Sequence, residues 1–248
     1  MTFTSFEGPV RAAVIGASGG IGRALTSALA ADPGVSAVMA YARSGSPPAG
    51  DKLHPGRLDL EDEPSIEAAA SLAADTLGGL DLVIIATGIL HGPDGLEPEK
   101  SYRKLDAAVM ARILAINTIG PAMVAKHFLP LLPRQGRAVF AAISARVGSI
   151  GDNGFGGWHS YRASKTALNM LLKNFAIEVG RRNEEAVIVG LHPGTVATGL
   201  SQPFQSGVPE GKLFTAEHSA ARLLETLDAA QPEDSGRVLA YDGERLPY

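Results

Sequence analysis

Tyr161 and Lys165 stand four residues apart in "GGWHSYRASKTALN", Gly156 to Asn169, a stretch that reads as the opening turns of a helix. Positions i and i+4 share one helix face, so the two side chains are neighbours whatever they do. A tyrosine hydroxyl has a reference pKa of about 10, too high for ready proton exchange at neutral pH. A lysine cation one turn away favours the tyrosinate and lowers that value, which makes the hydroxyl a candidate general acid and base. Spacing alone does not separate this chemistry from an ordinary Tyr and Lys on a helix surface.

A second group of residues is suited to phosphate. The first apolar run ends in "VIGASGGIGRAL", with glycines at 16, 20 and 22 in a G-x-x-x-G-x-G spacing. Glycine permits a tight strand-to-helix turn and close approach of the backbone to a pyrophosphate, and the next helix aims its positive end at that group. The second run ends in "VMAYARSGS", with no carboxylate to take a ribose 2′-hydroxyl and with Arg43 and Ser44 available. A bidentate guanidinium suits a 2′-phosphate, so NADP(H) is favoured over NAD(H).

The elements that must position these residues alternate along the chain. Val10–Ile15, Val35–Tyr41, Leu80–Ala86, Arg137–Ile143 and Ala186–Leu191 read as short strands without polar alternation, and "GRVLAYD" from Gly236 as a last one. That composition is expected of parallel strands buried on both faces. Helical patterns lie between them at Ile21–Ala31, Glu63–Thr76, Tyr102–Leu131, Ser160–Arg181 and Ala216–Ala230. The alternation argues for an α/β fold: one domain over 1–248, a doubly wound parallel sheet of the Rossmann type, about seven strands with helices on both faces. Two long loops interrupt the rhythm, 145–159 and 199–215; the second reads as a substrate lid, and Phe155, Trp158, Phe204 and Phe214 favour binding surfaces.

Composition narrows the function classes. The chain has 248 residues, 45% of them hydrophobic, and no cysteine, which excludes disulfides, thiolate metal sites and cysteine nucleophiles. A net charge of −4 gives no electrostatic reason to expect nucleic acid or an anionic membrane as partner. The six histidines are scattered, so no metal site is expected. "MTFTSFEGPVRAAVIG" lacks the build of a signal peptide, and the expected location is cytoplasmic.

With "IGASGGIG" and "YRASK" in place, the chain resembles a short-chain dehydrogenase/reductase. "RLDL", "ATGI", "AINTIGP" and "LHPGTVATGL" extend the likeness along nearly the whole chain. "SARVGSIGDNGFGGWHSYRASKTALN" and "HPGTVATGLSQPF" are similar to the C-factor-like bacterial branch. The resemblance implies an NADP(H)-dependent oxidoreductase that moves hydride between nicotinamide and a carbonyl or secondary alcohol. It implies that Gly16, Ser18, Ile21 and Gly22 line the pyrophosphate and ribose, Arg43 the 2′-phosphate, Asp59 and Leu60 the adenine, and Ala86, Thr87 and Gly88 the adenosine ribose. Pro193, Gly194, Thr195 and Val196 would flank the nicotinamide, with Thr198 near its carboxamide. Asn117 would support a proton-relay water, while Tyr161 and Lys165 act on substrate and nicotinamide ribose.

The family usually closes the fifth strand with two serines, the second steadying the substrate oxygen. Here "AAISARVGS" offers Ser144 and then Ala145. Ser144 is the leading candidate, Ser149 another if the loop folds back, and a strict register leaves the position to Ala145. That departure motivates the alternative of a catalytically weak nucleotide-binding signalling or regulatory protein. The expected partners are a small carbonyl or alcohol substrate and further copies of the chain, as a homodimer or homotetramer.

Overall fold

The computed structural model describes residues 3–44, 47–48, 50–92, 95–207, 209 and 211–248. Residues 208 and 210 of the expected lid, and 45–46 after the second strand, lie outside this set. Strands β1 (Val10–Ile15), β2 (Val35–Ala42), β3 (Leu53–Arg57), β4 (Leu82–Ile85), β5 (Ala138–Ile143), β6 (Ala186–His192) and a late strand (Val238–Ala240) form a seven-stranded sheet. All of its neighbouring strands run parallel. The spatial order is β3-β2-β1-β4-β5-β6 and then the late strand, so the chain reverses its direction of travel between β1 and β4. A separate two-stranded pair joins β7 (Thr195–Val196) to β8 (Leu213–Phe214), which makes the late strand β9.

Successive side chains of each strand enter opposite layers, as a two-residue repeat requires. Ala13 and Ile15 of β1, with Phe140 and Ala142 of β5, pack against α2 (Glu63–Leu77), α4 (Gly120–Phe128) and α5 (His159–Gly180) through Ile66, Phe128, Leu168 and Leu172. Ala12 and Val14, with Val139 and Ala141, pack against α1 (Gly20–Ala31) and α6 (Ala216–Ala229) through Leu25, Leu29, Leu223 and Leu227. Both faces are dry, which is why the strands read as unbroken apolar runs.

Two elements differ from the sequence expectation. β3 escapes periodicity because its sequence is "LHPGR"; a proline and a glycine are tolerated since this strand lies at the sheet edge. Gly56 is required there, because a Cβ would sit 2.5 Å from the Tyr41 ring. The expected helix Tyr102–Leu131 is broken into a 3₁₀ turn (Tyr102–Lys104), α3 (Ala107–Leu114), a π-helical turn (Ala115–Ile119), α4 and a second 3₁₀ turn (Leu129–Leu131). The stretch Ala107–Leu131 is long and apolar enough to cross a membrane by composition, with mean hydropathy 1.5, yet Ile113, Val124 and Phe128 are wholly buried in the protein.

Candidate active site

The reversal of strand order opens a crevice at the carboxyl ends of β1 and β4, the usual place for a ligand in such sheets. Its first half is a cavity of about 330 Å³ lined by Gly16, Ser18, Arg43, Asp59, Leu60 and Ala86–Gly88, among others. The second half, about 450 Å³, is lined by Ile21, Ser144, Ala145, Tyr161, Lys165 and Pro193–Val196, with Thr198 at its side. Gly19 and Ala86–Gly88 belong to both, so the two halves form one cleft.

The glycine turn has the build of a pyrophosphate cradle. Gly16 takes a φ of +94°, and its carbonyl oxygen accepts from Gly19 N at 3.0 Å. A Cβ on Gly22 would lie 2.1 Å from that same oxygen, and one on Gly20 would lie 2.6 Å from Thr198 Cγ2. Gly22 therefore supports the turn from below rather than lining the cleft. Gly19 has no side chain to cap α1, which leaves first-turn N–H groups to face a ligand. Thr87 Oγ1 is buried, has no hydrogen-bond partner among the described residues, and belongs to a residue of the cleft wall. An orphaned hydroxyl beside a cradle that side chains would fill fits a dinucleotide. Arg43 stands at the far rim, 62% exposed and 3.9 Å from Glu61, a pairing loose enough to leave its guanidinium available.

Tyr161 and Lys165 meet on the buried side of α5, with the Lys165 Nζ 5.8 Å from the Tyr161 ring centre. The Lys165 ammonium donates to Ile143 O at 2.8 Å, which ties the helix to the end of β5. Burial pushes Tyr161 up to about 12 and Lys165 down to about 8. The expectation that Lys165 lowers the tyrosine value is thus not met by the protein's own groups. Both lose more hydration than they recover from each other.

Asn117 does not line the cleft. It is wholly buried in the π-helical turn, where its Oδ1 accepts from Ile89 N at 2.8 Å and its Nδ2 donates to Ile89 O at 2.9 Å. The same Nδ2 donates to Ser164 Oγ at 3.1 Å, and Ser164 donates onward to Tyr161 O at 2.7 Å. The turn so joins the strand end after β4 to the helix that carries Tyr161; π turns are frequent at functional sites. A Cβ on Gly88 would touch both Asn117 Oδ1 and Lys165 Nζ at 3.4 Å, so glycine lets the two approach.

Ser144 lines the cleft, but its hydroxyl donates to Asn169 Oδ1 on α5 at 2.6 Å. Its proton is thereby spent, and the remaining lone pairs do not steady a carbonyl oxygen. Ser149 is not among the cleft residues; its Oγ donates to Tyr248 O at 3.2 Å and accepts from Asp152 N at 3.1 Å. Ala145 is a cleft residue without a donor of its own.

The rest of the cleft wall comes largely from the two long loops, 145–159 and 199–215. Leu90, Val147 and Leu200 add apolar wall, and Arg146, ion-paired to Asp152 and Glu244, adds charge at the rim. His192 is neutral at neutral pH, since burial and the Arg146 charge push it down to about 4. Phe204 stands in the 3₁₀ turn Gln202–Gly207, and His91, which pairs with Gly199 O at 2.9 Å, packs its ring 6.0 Å from Phe204. Trp158 has a φ of +51°, alone in the left-handed region among described non-glycine residues, at a cost of about 1–2 kcal/mol.

With this geometry established, comparison with known proteins is specific. The model of the family described as short chain dehydrogenase matches residues 11–208. The 1-hydroxy-2-glutathionyl-2-methyl-3-butene dehydrogenase of Rhodococcus sp. (strain AD45) is 34% identical over 95% of this chain and 98% of its own. The C-signal of Myxococcus xanthus is 37% identical over 58% of this chain and 81% of its own. Among solved structures, the NADPH-bound carbonyl reductase from chicken fatty liver superposes with a TM-score of 0.81 at 26% identity, covering 98% of this chain and 96% of that one.

Proposed function

The chain belongs to the short-chain dehydrogenase family, and from that premise we propose that it is an NADP(H)-dependent oxidoreductase interconverting a carbonyl compound and a secondary alcohol. The observation that carries this reading is the continuity of the cleft: the glycine cradle and Arg43 at one end open directly onto Tyr161 and Lys165 at the other. The solved carbonyl reductase most informative for the cofactor is one with NADPH bound.

Gly16, Ser18, Ile21 and the α1 N-terminus would hold the pyrophosphate, Arg43 the 2′-phosphate, Asp59 and Leu60 the adenine, and Pro193–Val196 with Thr198 the nicotinamide. Bound NADPH supplies the hydride. Tyr161 gives its phenolic proton to the carbonyl oxygen, or takes one from the alcohol in the reverse direction. Lys165, fixed through Ile143 O, supplies the positive charge that stabilises the tyrosinate left behind. Asn117 keeps the α5 helix and the strand end at Ile89 in register, and Ser144 anchors α5 through Asn169. The substrate oxygen is left with Tyr161 as its donor. This reading takes 1–248 as one catalytic unit in the cytoplasm, assembled as a homodimer or homotetramer; the exposed Ile119, Met170 and Ile177 beside α4 and on α5 support such packing.

NADPH consumption against ketones, aldehydes and quinones tests the proposal, with Tyr161→Phe as control. Turnover that falls by at least about a hundredfold in the variant is expected. Ala145 and the likeness to C-signal favour one second reading, a C-factor-like protein that binds the dinucleotide but turns over little. Tight NADPH binding without turnover on the whole panel would establish it instead.

A further inference from the structure

Glu99 lies in the irregular segment between β4 and α3 and carries a carboxylate that is 5% exposed. Both of its oxygens are taken by α5: Oε1 accepts from Ser160 Oγ, and Oε2 accepts from Ser160 N at 3.2 Å. Its main-chain oxygen accepts from Trp158 N. Burial raises the Glu99 carboxyl, but hydrogen bonds from the Ser160 hydroxyl, from its own main-chain N–H and from Ser160 N more than reverse this and leave it below its ordinary value. A carboxylate 61 residues away thus performs the N-terminal capping that Trp158, at the cap position, has no side-chain group to perform.

The held segment is the strained one. Gly156, Gly157 and Trp158 are left-handed in succession, with φ of +65°, +66° and +51°. Arg162 fastens the other side: its N–H donates to Trp158 O at 2.9 Å and its Nε to Gly157 O at 3.0 Å. This backbone sets the indole 5.0 Å from the Phe204 ring and 6.3 Å from the Tyr161 ring, and all three residues line the same cavity. A strained conformation survives only where its surroundings over-determine it, and Glu99 supplies three of the bonds that do so.

We propose that Glu99 is a positioning residue: by holding Trp158 left-handed it fixes an aromatic wall, Trp158 and Phe204, that selects carbonyl substrates bearing a flat apolar group. The substrate part rests on the function proposed above; the clamp itself does not. Trp158 is the one tryptophan of the chain, so its emission reports this wall alone.

Three variants test the idea. Glu99→Ala removes both side-chain bonds, and Ser160→Ala removes one. Glu99→Gln keeps the shape, since its amide can accept from Ser160 N and donate to Ser160 Oγ. Glu99→Ala should red-shift Trp158 emission and raise acrylamide quenching about twofold, Ser160→Ala should do so less, and Glu99→Gln should stay near wild type. The KM for acetophenone should rise by about threefold to tenfold relative to that for 2-butanone, the scale of one aromatic contact, with kcat held within about threefold. Unchanged emission and quenching in folded Glu99→Ala would overturn the clamp, and equal KM changes for both ketones would overturn the selection. If Glu99→Ala does not fold, Ser160→Ala against Glu99→Gln decides by the same readouts. Emission, and its quenching by added acetophenone, need no turnover; a wild-type enzyme that reduces no carbonyl counts against the proposed function and leaves the clamp to be judged by fluorescence.

Discussion

Lys165 Nζ donates to the carbonyl oxygen of Ile143 at 2.8 Å, a bond that places a wholly buried cation at the end of β5. The fold gains little from that cation. Burial lowers Lys165 to about 8 from an ordinary 10.5, so the native protein gives up this proton before the unfolded chain does. Below about 8 both states are protonated and the native state carries the full desolvation cost. Between about 8 and 10.5 the unfolded state holds the extra proton, and stability rises with pH. Tyr161, raised to about 12, acts in the opposite sense between about 10 and 12.

Lys165→Met should therefore stabilise the fold while abolishing turnover. Removing a buried charge whose one hydrogen bond among the described residues is to a carbonyl is expected to gain roughly 1–3 kcal/mol at pH 7. That corresponds to about 2–4 °C in Tm per kcal/mol for a chain of this size. The rise in stability from pH 8 upward should vanish with the lysine. Thermal denaturation from pH 7 to 10 checks both points, and a variant less stable than wild type at pH 7 would mean that Lys165 is a structural group.

Arg43→Ala tests the cofactor assignment. Arg43 is solvated and only loosely paired with Glu61, so its removal should leave Tm unchanged. A charge-assisted contact to a phosphate contributes about 1.5–3 kcal/mol, so NADPH should bind about ten- to a hundredfold more weakly. NADH affinity should hardly move. Isothermal titration of both nucleotides is the measurement, and equal losses would remove Arg43 from the 2′-phosphate site.

Much of this site was legible because it is local. The Gly16–Gly22 turn and the Tyr161–Lys165 pair each lie within one strand–turn or one helix face, where spacing fixes geometry. The alternating layers of the sheet were legible for the same reason, as unbroken apolar runs. What escaped depends on distant partners. Nothing near Glu99 announces that its carboxylate meets Ser160, and β3 carries the residues that ordinarily argue against a strand. The break at Asn117 was invisible because a π turn uses the same side chains as the helix it interrupts. Sequence shows the lysine one turn from Tyr161 but not the burial of both groups, which raises the tyrosine and lowers the lysine in the protein alone.

The end of β5 supplies the last prediction. Ser144 and Ala145 follow β5 directly, and both line the cleft. The hydroxyl of the first is committed to Asn169 of α5, and the second brings no side-chain donor to the cavity that Tyr161 also lines. A hydroxyl placed at 145 would offer the substrate oxygen a second donor, so Ala145→Ser should raise kcat/KM by about threefold to tenfold, the worth of one added hydrogen bond. Ser144→Ala, in contrast, should act on the anchoring of α5 and cost stability first, roughly 1 kcal/mol. Steady-state kinetics and thermal denaturation of the two variants separate the roles. A hundredfold loss of kcat in Ser144→Ala at unchanged Tm would give Ser144 the catalytic part. Turnover that appears only once Ala145 becomes serine would show that the native chain binds its dinucleotide for a purpose other than catalysis.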